Sequence, residues 1–311
     1  MSAINDDREN TVFLKGHRVP PLVSASGDLG KVVTEAELVL LVIPTQFAAG
    51  ALKAAAPFLD PKKHILLSCT KGIEISSLET CDEIFARVLP AEVAERAAFL
   101  SGPSFAAEVA AGQPTMVTVA SRQVDVARRC QALLSDGHLR VYSSIDVPGV
   151  EIGGALKNVL AIACGVSDGL GFGANARAAL MVRGLSEITR LAVARGADPL
   201  TMQGLAGMGD LVLTCTGELS RNRTVGLRLG KGETLAEIQA SVNTVAEGVA
   251  TSIAAEALAR KLGVDCPIIA GIHSVIHGGA DARKVVGAAM GRPLRDEVAP
   301  EVIEAAGRSA V

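Results

Sequence analysis

Between residues 38 and 142 the chain alternates short apolar runs with stretches that mix apolar and polar positions at helical spacing. Leu38 to Ile43 is wholly apolar, rich in β-branched residues and stopped by Pro44, as expected for a strand buried on both faces. The Ala-rich segment from Gln46 to Pro57 is predicted helical. Further strands are predicted over Ile65 to Cys69, Ala98 to Ser101, Thr115 to Ala120 and Leu139 to Tyr142, with helices over 104–111 and 124–134. Strands and helices in alternation with short links predict an open α/β sheet. After Pro148 the strand signals stop, and glycine-punctuated helices are predicted over 150–168, 174–195, 201–206, 221–229, 234–240, 246–262 and 268–277. The boundary near Val147-Pro148 divides the chain into an α/β domain, 1–147, and an all-helical domain, 148–311. Ligand pockets favour the cleft between two such units.

Composition narrows the function classes. With 49% hydrophobic residues, 311 residues supply ample core. The formal charge of −3 leaves no net basic field to hold nucleic acid or an anionic membrane. Aromatics make up 3%, with no Trp, one Tyr (Tyr142) and seven Phe, so stacking platforms for bases or sugars are scarce. The six cysteines form no C-x-x-C pair and lie mostly in apolar runs, the pattern of reduced core thiols. His273 and His277 could share a helix face, but no third ligand lies nearby and no metal is expected. No uninterrupted apolar run reaches the ~18 residues of a membrane span. Residues 1–21 have neither a signal peptide's apolar centre nor a transit peptide's lack of acids, so a cytosolic chain is expected.

Open α/β sheets collect ligands at the carboxyl ends of their strands. Three such ends carry polar, flexible segments: Pro44-Thr45-Gln46, Thr70-Lys71-Gly72 and Gly102-Pro103-Ser104. The last is predicted to open a helix, whose free N–H groups favour an anion. A solvated loop lysine and a plain turn are the alternatives for Lys71 and for Gly102-Pro103.

The most informative segment runs from Gly149 to Val166. Lys157 and Asn158 are its only strongly polar residues after Glu151, in a helix that otherwise reads as buried on all sides. Gly153 and Gly154 fall on the same helical face as Lys157. Each glycine costs about 0.5–1 kcal/mol in a helix relative to Ala, so a ligand or a backbone is expected to pack there. Desolvation would bring the lysine toward neutrality, as suits a proton donor and acceptor. The competing reading is a lysine that snorkels from a helix edge. Asp210, alone among glycines and apolar residues, needs a partner such as a buried lysine, although a helix N-cap is also open to it. Ser220-Arg221-Asn222-Arg223 offers a hydroxyl, an amide and two guanidinium forks ahead of an apolar helix. It has the composition of a phosphate site, or of a solvated basic turn.

Together these segments strongly resemble NAD(P)-dependent sn-glycerol-3-phosphate dehydrogenase of the soluble bacterial and plastid type. The resemblance runs through Ile4 to Asn10, Cys69 to Glu74, Leu100 to Ala106, Glu151 to Asn158, Leu205 to Thr216, Ser220 to Arg223 and Val245 to Gly248. It implies a Rossmann-type sheet domain followed by an all-α domain. It also implies reversible NAD(P)H-dependent reduction of dihydroxyacetone phosphate, feeding glycerophospholipid synthesis. Lys157 would be the proton donor and acceptor. Substrate contacts would fall on Lys71, Gly102, Ser104, Lys157, Asp210, Ser220, Arg221 and Asn222. NAD(P)H contacts would fall on Lys71, Ala106, Arg221, Val245 and Glu247. The expected partner is a small phosphorylated three-carbon substrate, without nucleic acid or membrane, and with a homodimer left open.

One departure stands out. The family opens with a strand, a glycine-rich turn and a helix that hold the dinucleotide's pyrophosphate, and no such turn follows any strand here. The sheet domain is therefore expected to be amino-terminally truncated, as an incomplete chain or a variant with impaired cofactor binding. Weak or absent NADPH binding is the corresponding expectation. The rival readings are a non-catalytic remnant and another β-hydroxyacid-type dehydrogenase.

Overall fold

A computed structural model describes residues 1–241, 246–294 and 296–307. Two short strands, β1 (Glu9–Asn10) and β2 (Leu14–Arg18), form an antiparallel ribbon. The main sheet is built from β3 (Leu38–Leu41), β4 (Ile65–Ser68), β5 (Ala97–Ser101), β6 (Thr115–Ala120) and β7 (Leu139–Ser144), in that order. All four residues of β4 are buried. Strand β3, whose all-apolar run predicts a strand buried on both faces, is only partly covered, with Leu40 48% exposed, because it is the edge strand of the sheet. Strands β3, β4 and β5 are parallel, so their carboxyl ends share one edge of the domain.

The sheet is mixed, because β6 runs antiparallel to β5 before β7 pairs parallel with β6. Residues 102–114 hold one short helix, Ala106–Ala110, which is too short to carry the chain back along the sheet for a parallel return. Helices α1 (Leu29–Glu35), α2 (Ala48–Ala55), α3 (Cys81–Val88) and α4 (Val124–Leu134) surround the sheet. The hydrophobic pattern predicted neither α1 nor α3. Both begin at a cap: Asp28 accepts from the Lys31 N–H, and Thr80 with Glu83 forms a capping box.

The second unit is organised around α5 (Val147–Gly169), in which twenty of 23 residues are buried. By length and composition this helix could cross a membrane, although no uninterrupted run predicts it; protein surrounds it on every side. It is the core helix of the domain. Around it lie α6 (Ala174–Ala194), α7 (Asp210–Thr216), α8 (Arg221–Gly230), α9 (Glu247–Leu262) and α10 (Pro267–His277), with short helices Ala282–Met290 and Pro300–Ala305 beyond the predicted set.

Helices α5 and α8 cross with their backbones in contact. Gly165 and Gly169 on α5 face Gly226 and Gly230 on α8, each pair four residues apart. A Cβ at Gly226 would lie 2.0 Å from the Ile162 carbonyl oxygen, and one at Gly165 2.1 Å from that of Arg223. No side chain fits between them. Gly226→Ala should therefore act as an overpacking substitution, costing about 1–3 kcal/mol. Thermal unfolding would show this as a Tm several degrees lower, and an unchanged Tm would contradict so tight a crossing.

Candidate active site

Helix α5 passes beneath the carboxyl ends of the sheet, and its paired glycines set how closely. A Cβ at Gly154 would lie 2.5 Å from Ser101 Oγ, at the end of β5, and one at Gly153 would lie 2.8 Å from the Ala206 carbonyl oxygen. The space beside Lys157 is thus occupied by the protein itself, on one side by the sheet and on the other by residues 205–209. That segment is a single π-helical turn that runs directly into α7. Such turns re-aim side chains at functional sites.

Asp210, the first residue of α7, points its carboxylate at Lys157 instead of capping the helix. Lys157 Nζ donates to Asp210 Oδ1 and, at 3.1 Å, to Thr214 Oγ1, whose own proton goes to the Asp210 carbonyl at 2.6 Å. Lys157 is 8% exposed and Asp210 1%, so the lysine is buried and paired, not snorkelling. Burial lowers the Lys157 ammonium below the usual lysine range; the carboxylate of Asp210 opposes that shift, and the like charge of Lys71 adds to it. Thr214 carried no signal of its own in the sequence, although it lies one helical turn from Asp210 and so on the same face.

Lys71 follows β4, and Gly72 beside it has φ +152°, a conformation that glycine tolerates and other residues rarely adopt. Gly102, with φ +138°, turns the chain at the end of β5, where a Cβ would meet the Val117 Cα at 2.9 Å. The Ser104 hydroxyl donates to the Gly102 carbonyl at 3.0 Å, and Ala106 opens the short helix at the surface. Glu247 begins α9. Burial raises its carboxyl above the usual range, while Lys71, Arg221 and Lys157 hold it down, so three cations face Glu247 beside the Lys157–Asp210 pair. Val245 lies outside the described residues.

The turn before α8 is fixed from within. Ser220 caps the helix, its Oγ accepting from the Arg223 N–H at 3.2 Å. Asn222 donates to Asn158 Oδ1 at 2.9 Å and accepts from the Gly248 N–H at 2.9 Å, joining α5, α8 and α9. Arg221 is exposed. Arg223 is not a second free fork: its Nε and Nη2 donate to Asp168 Oδ2 at 3.1 and 2.6 Å. The composition of the turn could not reveal that neutralisation, because the acid lies 55 residues away.

Of the six buried side-chain polar atoms without a partner among the described residues, three belong to this region: Thr45 Oγ1, Ser101 Oγ and Asp210 Oδ2. A Cβ at Gly72 would meet the first at 2.5 Å. Buried polar atoms left unpaired mark a place built for further contacts. These strand ends, with Lys71 and Glu247, suit the nicotinamide half of a dinucleotide. The glycine-rich turn that would cradle its pyrophosphate is not found in the 311 residues.

Strand ends backed by a helical unit that supplies a buried lysine, its ammonium lowered from the usual range, have the make-up of a dehydrogenase site. The chain belongs to the NAD-dependent glycerol-3-phosphate dehydrogenase family. It matches that family's N-terminal description over residues 1–127 and its C-terminal description over residues 146–287. It is 50% identical over 294 residues to the glycerol-3-phosphate dehydrogenase [NAD(P)+] of Citrifermentans bemidjiense, covering 94% of this chain and 88% of that one. The enzyme of the same name from Myxococcus xanthus is 48% identical, covering 96% and 89%. Among solved structures, the glycerol-3-phosphate dehydrogenase of Coxiella burnetii superposes with a TM-score of 0.88 at 35% identity, covering 94% of this chain and 88% of that one.

Proposed function

We propose that this chain is a cytoplasmic oxidoreductase that reversibly reduces dihydroxyacetone phosphate to sn-glycerol 3-phosphate with NAD(P)H, feeding glycerophospholipid synthesis. The observation that carries the reading is the buried Lys157–Asp210–Thr214 group, set against Lys71 at the strand ends. When bound, the reduced nicotinamide supplies the hydride for C2. Lys157 gives a proton to the C2 oxygen in reduction and takes it back in oxidation. Asp210 and Thr214 hold the ammonium in place, and burial keeps the lysine easier to deprotonate than a surface one. Lys71, Gly102 and Ser104 position the three-carbon body. Ser220, Arg221 and Asn222 grip the phosphate at the amino end of α8, where free N–H groups and the helix dipole favour an anion. Lys71, Ala106, Arg221, Val245 and Glu247 would hold the cofactor.

The test follows NADPH absorbance with the 311-residue chain, offering dihydroxyacetone phosphate and dihydroxyacetone in parallel. Turnover of the phosphorylated ketone alone is expected. Equal turnover of both would remove the phosphate from the reading, and none with either at an NADPH concentration that saturates the chain would refute it. Fluorescence titration with NADPH and NADH measures cofactor affinity and preference directly.

The lysine's surroundings give a pH prediction with a definite sign. Asp210 holds the Lys157 pKa up against burial, so Asp210→Asn lowers it further. Reduction needs the protonated lysine. The alkaline limb of the kcat–pH profile for reduction should therefore move to lower pH in Asp210→Asn, and a limb that stays in place would sever the pair's functional link.

A further inference from the structure

Two arginines, Arg221 and Arg223, flank Asn222 at the start of α8, yet only Arg221 faces outward. Arg223 turns back onto α5 and binds Asp168, a side chain 10% exposed that also accepts from Arg177 Nη1 of α6 with both oxygens, at 2.9 and 3.0 Å. One carboxylate thus ties together three helices. It lies eleven positions beyond Lys157 on α5, about three helical turns along the same rigid element. Asp168 sits within the glycine crossing that locks α5 to α8, flanked by Gly165 and Gly169, and a Cβ at Gly165 would strike the carbonyl oxygen of Arg223 itself. Backbone contact fixes the distance between the helices, and the Arg223–Asp168 pair fixes how the first turn of α8 is rotated and advanced.

From this arrangement we infer that Asp168 and Arg223 are positioning residues, a strut that holds Ser220, Arg221 and Asn222 at a set reach from Lys157. The inference rests on the reading of that turn as the phosphate grip. In a three-carbon phosphate, the C2 oxygen and the phosphate are separated by a fixed, short chain, so proton donor and grip must keep a matching separation. Asn222 secures the near end of the turn through Asn158, next to Lys157 in sequence, and Arg223 secures the far end through Asp168. Neutralising Arg223 also leaves Arg221 as the turn's outward guanidinium, so the grip presents one fork rather than two.

The test compares Asp168→Asn, Arg223→Lys and Arg221→Ala in the full chain by calorimetric titration with sn-glycerol 3-phosphate and by kinetics with dihydroxyacetone phosphate. Arg223→Lys keeps the charge but loses the fork, and it serves if Asp168→Asn does not fold. Loss of the strut should weaken sn-glycerol 3-phosphate binding and raise the KM for dihydroxyacetone phosphate about tenfold while kcat changes by about twofold or less. A merely structural defect would lower kcat and Tm together instead, and would overturn the inference. Weakened binding in Arg221→Ala with wild-type affinity in both strut variants would overturn the strut alone. Wild-type affinity in all three would overturn the phosphate grip and the strut with it.

Discussion

Lys157→Met should lower kcat for reduction of dihydroxyacetone phosphate by at least the ~10²- to 10⁴-fold that a positioned acid contributes. Methionine approximates the length of the lysine stem but carries no proton to give. It also strands Asp210, 1% exposed, without its partner, and breaking such a buried pair costs about 3–5 kcal/mol. Lys157→Arg separates the two effects. Its guanidinium keeps a positive charge against Asp210 but does not deprotonate in proteins, so it cannot accept the proton released when sn-glycerol 3-phosphate is oxidised. A folded, inactive Lys157→Arg chain is expected, shown by a cooperative unfolding transition, lowered by the larger side chain, beside a collapsed kcat. Wild-type turnover in either variant would sink the assignment of Lys157.

Arg221→Ala should act on binding. A hydrogen bond to a charged group is worth about 1.5–3 kcal/mol, which corresponds to a loss of roughly tenfold to a hundredfold in affinity for the phosphorylated substrate. The KM for NADPH should rise as well if the proposed cofactor role of Arg221, whose charge acts on Glu247, is right. Steady-state kinetics with each substrate varied in turn is the check. If neither Michaelis constant moves, the phosphate grip is misplaced. The side chain is exposed, so a Tm close to wild type is expected beside the change in binding.

Much of the fold was legible because its signals are local. The all-apolar run at β3 and its stop at Pro44 mark a strand through the chemistry of a few adjacent residues, although not how far that strand is covered. The end of strand signals at Val147-Pro148 coincides with the start of α5. Lys157 stood out because a single ammonium interrupts a long apolar helix. Helices α1 and α3 were missed in a hydrophobic reading, but the signals that start them, Asp28 and Thr80 with Glu83, are present in the sequence as caps.

The sequence by itself determined which residue types could do the chemistry and roughly which elements carry them. Periodicity and composition record how each segment meets its surroundings within a few residues. Only the tertiary structure decided which of those residues act together. Lys157 meets Asp210 across 53 positions because the π-helical turn aims α7 back at α5. Asp168 singles out Arg223 over Arg221 because two helices cross glycine to glycine, which sets which guanidinium faces inward. The antiparallel turn of β6 follows from the short helix before it. Charge pairing in a folded chain depends on distance in space, and a linear pattern of residues holds that distance only after the helices have packed.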